Sequence, residues 1–331
     1  MKTYIDQIRE NQDVEGTFVV TEKNVATSRS GSPYLRLKLS DRTGEIEARI
    51  WDESEVLGSL FERGDVITIK GHAGSFQDRL QLNIKALKKC PDNEVVLEDF
   101  LPTAPRPADQ MLKELNDIST TITNPYLRTL VMAFLEDNDF LAVFQRLPAA
   151  KRLHHVYLGG LLEHTLSVAQ LAQRIEGQYP DIDRDLLLTG AVLHDVGKVR
   201  ELSCVLGFDY TDEGRLLGHI AMGMDMVSQR MNQIHGFPEE LAMLVKHLML
   251  SHHGQYEFGS PRRPKTPEAE ILYRLDDLDA KINGIQAFMR QGNDGSRWTD
   301  YHRIFDRFFY LASGEATFPL SPPDADLLSD N

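Results

Sequence analysis

The sequence predicts a multidomain chain in which a small all-β barrel is followed by an all-α helical bundle. Three observations predict it: apolar residues alternate at period two in the first 90 residues, they recur at spacings of three and four further on, and prolines separate the two patterns. The prolines are Pro91, Pro102, Pro105 and Pro107. We therefore expect a barrel domain over 1–90, a linker over 91–108, a helical domain over 109–312 and a loose tail over 313–331.

The barrel prediction depends on five short segments with the composition of strands. They cover residues 14–20, 34–39, 45–51, 66–71 and 80–84. Glycine-containing turns separate several of them, which is typical of a small barrel. In the second segment Arg36 and Lys38 alternate with leucines, so we expect the two basic side chains on the outer face. A short helix is expected within residues 53–62.

The helical prediction depends on apolar sets with the periodicity of an amphipathic helix. They cover residues 161–175, 186–196, 220–234, 241–250, 269–288 and 304–311. No run of apolar residues has the length of a membrane span, which is roughly 18 residues or more.

Charge and cysteine content narrow the class of protein. The net charge of the 331-residue chain is −14, which argues against a broad electrostatic grip on nucleic acid. The first 90 residues carry 14 Lys and Arg and 14 Asp and Glu, so the barrel is the surface that is less repulsive to nucleic acid.

The N-terminus lacks the apolar stretch of a signal peptide, and two cysteines do not make a disulfide framework. We expect a cytoplasmic protein.

Histidines and aspartates recur within or at the ends of separate apolar helices. They are His164, His194, Asp195, His219, His252, His253 and Asp276. Helical bundles build metal sites from side chains that converge in this way, and a metal gives buried polar groups a partner. Mixed His and Asp ligation suits Mn²⁺, Fe²⁺, Co²⁺ or Zn²⁺ better than Ca²⁺. A single histidine on an apolar helix is more often a core or surface residue than a metal ligand. We interpret His235 and His302 in this way.

These residues resemble the pattern of the HD phosphohydrolase superfamily, H…HD…H…H…D. The resemblance covers Gly159-Gly160-Leu-Leu-Glu-His164-Thr, Leu-His194-Asp195-Val-Gly-Lys198 and Ser-His252-His253-Gly. It implies that His164, His194, Asp195 and Asp276 hold one divalent ion. It also implies that His219 and His252 hold a second ion, with Asp195 as the bridge. The pattern leaves His253 open against His252, and Asp277 and Asp279 open against Asp276, with Asp279 as a further group behind the ligands.

Three residues are candidates for the chemistry. Asp195 is the implied bridge, and Lys198, one helical turn beyond it, could meet a phosphate oxygen or simply be solvated. His155 could face the pocket as an acid or an orienting group, or be packed. Two ions can activate water and stabilise the oxygens at phosphorus.

The barrel region resembles an OB-fold over the stretch from Gly31 to Asp52. OB-folds bind single strands by stacking bases on aromatic rings beside basic side chains. The candidate stacking residues are Tyr34, Trp51 and Phe76. The candidate phosphate-binding residues are Arg36, Lys38, Arg49 and Arg79. Trp51 is equally compatible with the barrel core.

An OB-fold followed by an HD domain resembles the bacterial YhaM-type 3′→5′ exoribonucleases. The stretches Pro148-Ala-Ala to Thr165 and Leu275 to Lys281 share in the resemblance. It implies hydrolysis of single-stranded RNA, and potentially single-stranded DNA, to nucleoside monophosphates. The implied cofactor is two ions of Mn²⁺ or Co²⁺, with Fe²⁺, Zn²⁺ or Mg²⁺ as alternatives. Three other functions remain open: a small-nucleotide phosphodiesterase or nucleotidase with the barrel as regulator or tether, an RNA-binding adaptor with a structural metal, and a di-iron oxygenase.

Overall fold

The structure is a computed structural model that describes residues 3–28, 31–77, 79–151, 153–175, 177–204, 207–290 and 296–311. The expected tail, 313–331, lies outside the described residues. The chain divides into two compact units, Met1–Thr103 with Cys204–Phe208 and Ala104–Ser203 with Asp209–Asn331.

The first unit contains a closed five-stranded barrel with the strand order β1-β2-β3-β5-β4. The strands are β1 (Asp13–Thr27), β2 (Pro33–Asp41), β3 (Gly44–Ile50), β4 (Val66–Phe76) and β5 (Arg79–Lys89). Neighbours are antiparallel except β3 and β5, which are parallel. The short helix α1 (Ser54–Gly58) follows β3, within the range expected for it.

Alternation along β2 separates the barrel core from its outer face. Leu35, Leu37 and Leu39 are buried, whereas Arg36 is exposed, as period two dictates. Phe18 is fully buried among the core residues. The predicted strands are thus confirmed, and each is as long as or longer than the segment recognised in the sequence.

The second unit is helical. Its helices are α2 (Ala108–Thr120), α3 (Pro125–Leu135), α4 (Asn138–Phe144), α5 (Gly160–Arg174), α6 (Arg184–Leu193), α7 (Lys198–Glu201), α8 (Asp212–Gln233), α9 (Glu239–Ser251) and α10 (Pro267–Arg290). Helices α5, α6 and α10 pack against one another, and α9 contacts α6, α8 and α10. The predicted fold class, a β-barrel followed by a helical bundle, is confirmed.

The segment 304–311 is not helical, which corrects the prediction for it. It forms turns and isolated bridges, in which Trp298 pairs with Tyr310 and His302 with Arg307. Asp306 has a φ of 54°, outside the helical region. Apolar residues at spacings of three and four can therefore also pack on a neighbouring helix from a folded-back loop. The short strands β6 (Leu202–Cys204) and β7 (Phe208–Tyr210) were likewise not expected from the helical pattern.

Among the described residues, no helix combines the length and the apolar character needed to cross a membrane.

Candidate metal centre and barrel face

Four of the predicted ligands meet in the interior of the helical unit. His164 on α5 and His194 after α6 bring their Nε2 atoms to 3.2 Å from each other. His164 Nε2 lies 3.1 Å from Asp276 Oδ1 and 3.5 Å from Asp195 Oδ2. His194 Nε2 lies 3.2 Å from Asp195 Oδ2 and 4.0 Å from Asp276 Oδ1. Two imidazole nitrogens and two carboxylate oxygens therefore surround one point.

The other oxygen of Asp195 faces a second group of imidazoles. Asp195 Oδ1 lies 3.5 Å from His219 Nε2 and 3.8 Å from His252 Nε2. His253 belongs to the same group, because ring nitrogens of His219, His252 and His253 lie within 4.8 Å of one another. The Asp195 carboxylate thus stands between two sets of nitrogen donors.

The four predicted histidine ligands share one arrangement, in which Nδ1 is held by an oxygen and Nε2 faces the centre. The partners are Asp279 for His164 at 2.7 Å, the Ala191 carbonyl for His194 at 2.9 Å, Glu201 for His219 at 3.0 Å and the Met249 carbonyl for His252 at 2.8 Å. An oxygen acceptor at one ring nitrogen sets the tautomer and leaves the lone pair of the other for a metal. The arrangement is that of metal-ligating histidines.

Helix ends explain why His194 and His252 point inward. Each is the residue that follows the last turn of its helix, and each Nδ1 reaches the carbonyl three residues back. Histidines near helix C-termini commonly use the unpaired carbonyls there.

Two glycines bring His219 to Asp195. A Cβ at Gly197 would lie 2.0 Å from the His219 carbonyl oxygen, so only glycine permits this close approach. Gly218 has φ 74° and ψ 154° and interrupts α8 immediately before His219. The interruption frees the His219 backbone N–H, which donates to Glu201 Oε1 at 3.0 Å.

Behind His164, Asp279 connects three side chains. Its Oδ2 lies 2.7 Å from His164 Nδ1 and 3.0 Å from His155 Nε2, and its Oδ1 accepts from the Ser167 hydroxyl. Asp279 is therefore a supporting group rather than a member of the inner cluster, in which Asp276 is found.

His155 is buried and engaged on both ring nitrogens. Nε2 contacts Asp279, and Nδ1 lies 2.8 Å from the Tyr157 hydroxyl and 3.1 Å from Glu163 Oε2. Its backbone, at φ 46°, is held by Asn283, which accepts from its N–H at 2.8 Å. His155 therefore contacts the carboxylate of Asp279 that holds His164. The ring nitrogens of His155 do not face the open cavity.

Burial and the neighbouring polar and charged groups shift the pKa values of His164 and Asp195 in opposite directions. Burial lowers the pKa of His164, but hydrogen bonds to Asp276 and Asp279 outweigh it and raise the pKa to about 10, so a metal that binds Nε2 displaces a proton. Burial raises the pKa of Asp195, but Lys198 and His194 hold it well below the ordinary value. Burial lowers the pKa of His252 well below its ordinary value, which keeps its Nε2 lone pair available.

Lys198 lies beside the cluster. Its Nζ is 2.6 Å from Asp195 Oδ2, and its side chain lines a cavity that also reaches Asp276. Burial lowers the pKa of Lys198, but Asp195 outweighs it and the net direction is upward, so the ammonium stays charged. A lysine in this position can donate to an anion in the cavity.

Three atoms that face the cluster have no hydrogen-bond partner among the described residues. They are Asp195 Oδ1, His219 Nε2 and His252 Nε2. Buried polar atoms are rarely left unpaired, because each costs about 1–3 kcal/mol. A cation between these three atoms would satisfy all of them, so the donor set fits a bound divalent metal.

Sequence reasoning missed two residues near the cluster. Glu201 ends α7 and holds His219, and His154 lines the cavity while its neighbour His155 does not. The adjacent pair His154-His155 was a usable signal, but the sequence does not say which ring reaches the cavity. Glu201 gave no signal, because a single glutamate at a helix end is ordinary.

On the barrel, four of the predicted nucleic-acid-binding residues form one surface. The Tyr34 and Trp51 rings stack with centroids 4.4 Å apart. The Arg49 guanidinium lies 5.7 Å from the Tyr34 ring, 5.5 Å from Trp51 and 4.8 Å from Phe76. Trp51 and Phe76 are 43% and 51% exposed, so both rings are accessible rather than part of the core. We call these four residues the aromatic face.

The remaining basic candidates lie around this face. Arg36 is exposed and pairs in register with Arg49. Lys38 forms an ion pair with Glu45 at 2.5 Å and shares a shallow pocket with Arg79. The acidic partner makes Lys38 a weaker candidate for a phosphate than Arg36.

Family models match both parts of the chain. An HD domain model matches residues 161–281, and an OB-fold nucleic acid binding domain model matches residues 17–89. A helicase model, TraI_2, matches residues 99–179. The HD domain implies that the helical unit binds divalent metal.

Curated relatives match nearly the whole length. The chain is 34% identical over 300 residues to the 3'-5' exoribonuclease YhaM of Bacillus velezensis, which covers 90% of this chain and 95% of the relative. It is 33% identical to the protein of the same name from Bacillus subtilis, with the same coverage. A Geobacillus protein of this name is 34% identical over 305 residues, covering 92% and 93% of the two chains.

Solved structures match about a quarter of the chain. The second OB-fold domain of replication protein A from Methanococcus maripaludis matches with a TM-score of 0.23 and 19% identity, covering 27% of this chain and 94% of that one. The single-stranded DNA binding protein of Thermus aquaticus matches with a TM-score of 0.22 and 19% identity, covering 24% and 40%.

The identity to the curated relatives extends over about 90% of the chain, which contains both the OB-fold and the HD matches, and it confirms the family predicted from the sequence. The chain belongs to the YhaM family of 3′-5′ exoribonucleases.

Proposed function

We propose that this protein is a metal-dependent 3′-5′ exoribonuclease that hydrolyses single-stranded RNA to nucleoside monophosphates. Its family membership supports the reaction class. The observation that carries the proposal is the position of the Asp195 carboxylate, one oxygen of which faces His164 and His194 while the other faces His219 and His252. A carboxylate between two sets of donors can hold a pair of metal ions, and paired ions stabilise the attacking and leaving oxygens in phosphodiester hydrolysis.

The proposed cofactor is two divalent ions. His164, His194, Asp276 and Oδ2 of Asp195 would hold the first ion. Oδ1 of Asp195 with Nε2 of His219 and of His252 would hold the second, and these are the three cluster atoms that find no hydrogen-bond partner among the described residues. His253 is available as a further donor to the second ion. The His and Asp set suits first-row ions, and we propose Mn²⁺ or Co²⁺.

Bound ions would lower the pKa of water and neutralise charge at the phosphorus. Lys198 would donate from Nζ to a phosphate oxygen in the cavity, because the residue lines the cavity and its ammonium has donors beyond the one given to Asp195. For His155 we propose an orienting role, since both its ring nitrogens are engaged and one contacts the carboxylate that holds His164.

The aromatic face of the barrel is the proposed site for the single strand. Exposed rings stacked beside a guanidinium accept bases of any sequence, at about 1–3 kcal/mol per base. Binding by stacking does not require a net positive charge. This matters because the positive and negative charges of the first 90 residues balance. Arg36 and Arg79 are the proposed phosphate contacts beside it. Lys38 is a weaker candidate, because its ammonium forms an ion pair with Glu45. Single-stranded DNA is a further substrate to test.

The proposed domain division assigns 1–90 to strand binding, 91–108 to the connection and 109–312 to hydrolysis. The boundary between the compact units, at Thr103 and Ala104, falls within the connection. We also propose that the protein acts in the cytoplasm, where its RNA substrate is found.

The test uses a 5′-labelled RNA with a single-stranded 3′ tail and the same RNA with a blocked 3′ end, each incubated with Mn²⁺. We expect a descending ladder from the open end alone, with nucleoside monophosphates as products. Asp195→Ala should abolish the ladder and the bound metal while the helical circular dichroism is kept. The control His235→Ala removes an exposed histidine outside the cluster and should change neither.

Internal cleavage of both RNAs would contradict the polarity. Turnover of free nucleotides alone would favour the small-nucleotide hydrolase instead. Stoichiometric metal in Asp195→Ala would refute the proposed ligand set.

A further inference from the structure

A cavity of about 490 Å³ opens beside the proposed metal ligands. Lys198 and Asp276 lie on its polar side, and Phe258 and Phe305 contribute to its apolar side. Pockets for small ligands are typically about 300–1,000 Å³, apolar with a few polar groups. The cavity falls within this range and offers both kinds of surface that a nucleotide needs, an apolar one for the base and a polar one for the phosphate.

His154 is the unexplained polar group in this cavity. Both of its ring nitrogens are buried, and neither has a hydrogen-bond partner among the described residues. The ring centroid lies 5.2 Å from that of His164. A buried imidazole with no partner costs free energy, so its presence points to a ligand that supplies the partner.

The folded-back loop 296–311 forms one wall of the cavity. Phe305 packs directly on α10, where a Cβ at Gly284 would lie 3.4 Å from its ring. His302 and Phe288 fix the loop further along, with ring centroids 4.5 Å apart. The wall thus comes from outside the region, 161–281, that the HD model matches.

Arg307 adds a cation to this wall. Its Nε donates to the Phe305 carbonyl at 2.8 Å, and the guanidinium forms no ion pair in the part of the chain that the structure describes. Lys281 in the same cavity is, by contrast, paired with Asp277 at 2.7 Å. In a chain with a net charge of −14, an unpaired arginine beside a cavity favours an anionic ligand.

We propose that this cavity binds the 3′-terminal nucleotide of the RNA as a single, unpaired residue. This inference rests on the proposed function. The base lies against Phe258 and Phe305, His154 and Lys198 contact the phosphate at the metal side, and Arg307 offsets the charge of the strand.

The experiment compares two RNAs that differ only at the 3′-terminal residue, which carries a base in one and is abasic in the other. For the wild type we expect kcat/KM to be about 10- to 100-fold higher with the base, as for one stacked base. In Phe305→Ala the ratio should fall below about threefold, and Phe305→Leu should give an intermediate ratio. The control Phe308→Ala removes an exposed ring of the same loop that does not line the cavity, and should keep the wild-type ratio.

A wild-type ratio near one would overturn the proposal, and so would an undiminished ratio in Phe305→Ala. Metal content and circular dichroism of each variant show that it is folded. His154→Ala should raise KM for both RNAs by the same factor, because its proposed contact is to the phosphate. A KM unchanged in His154→Ala would refute that contact.

A second pair of substrates separates this inference from the proposed function. Uridine 5′-(p-nitrophenyl) phosphate contains the terminal nucleotide, whereas methyl p-nitrophenyl phosphate contains only the diester. If RNA is not shortened but both esters are cleaved, the exoribonuclease function fails. The ratio between the two esters in the wild type and in Phe305→Ala then still tests the nucleotide site.

Discussion

Glu201 Oε1 holds His219 at two points, accepting from its Nδ1 and from its backbone N–H, each at 3.0 Å. Burial raises the pKa of Glu201, but His219 outweighs it and the net direction is downward, so the carboxylate is charged. The pair of contacts aims His219 Nε2 at Asp195 Oδ1, 3.5 Å away. Glu201 therefore acts on the proposed second ion through His219.

Glu201→Ala should weaken the binding of one of the two proposed ions by about 10- to 100-fold, as loss of a carboxylate behind a histidine ligand does elsewhere. Glu201→Gln keeps an acceptor oxygen and should lose less. Metal titration followed by elemental analysis measures the stoichiometry and affinity. Glu213→Ala, which removes a partly exposed glutamate paired with Arg200, is the matched control. Equal loss of both ions in Glu201→Ala would show that the glutamate supports the whole fold rather than one site.

Asp279→Asn tests the support behind His164. The aspartate holds His155 and His164 at 3.0 and 2.7 Å; burial raises its pKa, but the hydrogen bonds to these two histidines outweigh it and keep the pKa well below the ordinary value. Losing the charge should lower metal affinity by about 10- to 100-fold. Added Mn²⁺ should restore most of the activity, because the inner ligands remain.

The control for Asp279 is Glu270→Gln on the same helix, where the glutamate is exposed and paired with Arg274. If excess Mn²⁺ restores nothing in Asp279→Asn, the carboxylate has a role in the reaction beyond orienting His164.

How much of this site could be predicted is best seen from α8. The apolar spacing predicted a helix over 220–234, and the set of histidines and aspartates on separate helices, with the family resemblance, predicted His219 as a ligand. The kink at Gly218 and the reach of Glu201 could not be predicted, since both depend on tertiary packing between α7 and α8. Supporting residues leave little signal in a sequence because any acid at the right distance will serve.

Local pattern also failed for residues 304–311. Phe305 and Phe309 have the spacing of a helical face, but in the structure they contact each other and α10 from a loop. Spacing reports which side chains are buried together, and a short segment can bury them without forming a helix. The barrel was more predictable. Apolar residues alternate at period two along its five strands, and only one arrangement of the strands buries the leucines.

The aromatic face gives a prediction for RNA affinity. Trp51→Ala should weaken the binding of single-stranded RNA by about 1–3 kcal/mol, because a stacked platform is lost and Tyr34 loses its partner. Turnover of a small diester should not change, since it needs no upstream strand. Fluorescence anisotropy with labelled RNA at fixed salt measures the affinity.

Lys70→Ala serves as the control on the barrel, because Lys70 is exposed and paired with Glu15. It should change RNA affinity far less than Trp51→Ala. An unchanged affinity in Trp51→Ala would mean that the strand follows another surface.

Asp185 gives a prediction for how the folding stability of the helical unit depends on pH. Its Oδ2 accepts from the N–H and hydroxyl of Thr123 and from the N–H of Asn124, at 2.6 to 2.8 Å, and so ties α6 to the start of α3. Burial raises the pKa of Asp185, but these hydrogen bonds outweigh it and bring the pKa below the ordinary 3.8. A carboxyl with a lowered pKa stabilises the folded state above its unfolded pKa and loses that effect as the pH falls through the folded pKa.

Asp185→Asn should therefore lower the free energy of unfolding of the helical unit by about 1–3 kcal/mol at neutral pH. The difference from wild type should shrink below pH 3.8, where the wild-type carboxyl also takes up a proton. Denaturant titration followed by far-ultraviolet circular dichroism measures it, with both proteins kept metal-free so that loss of metal at low pH does not contribute. Asp181→Asn, at an exposed position just before α6, should give a small difference at every pH. A difference for Asp185→Asn that stays constant down to the lowest pH would mean that shape and hydrogen bonding, rather than the charge of the carboxylate, hold the two helices together.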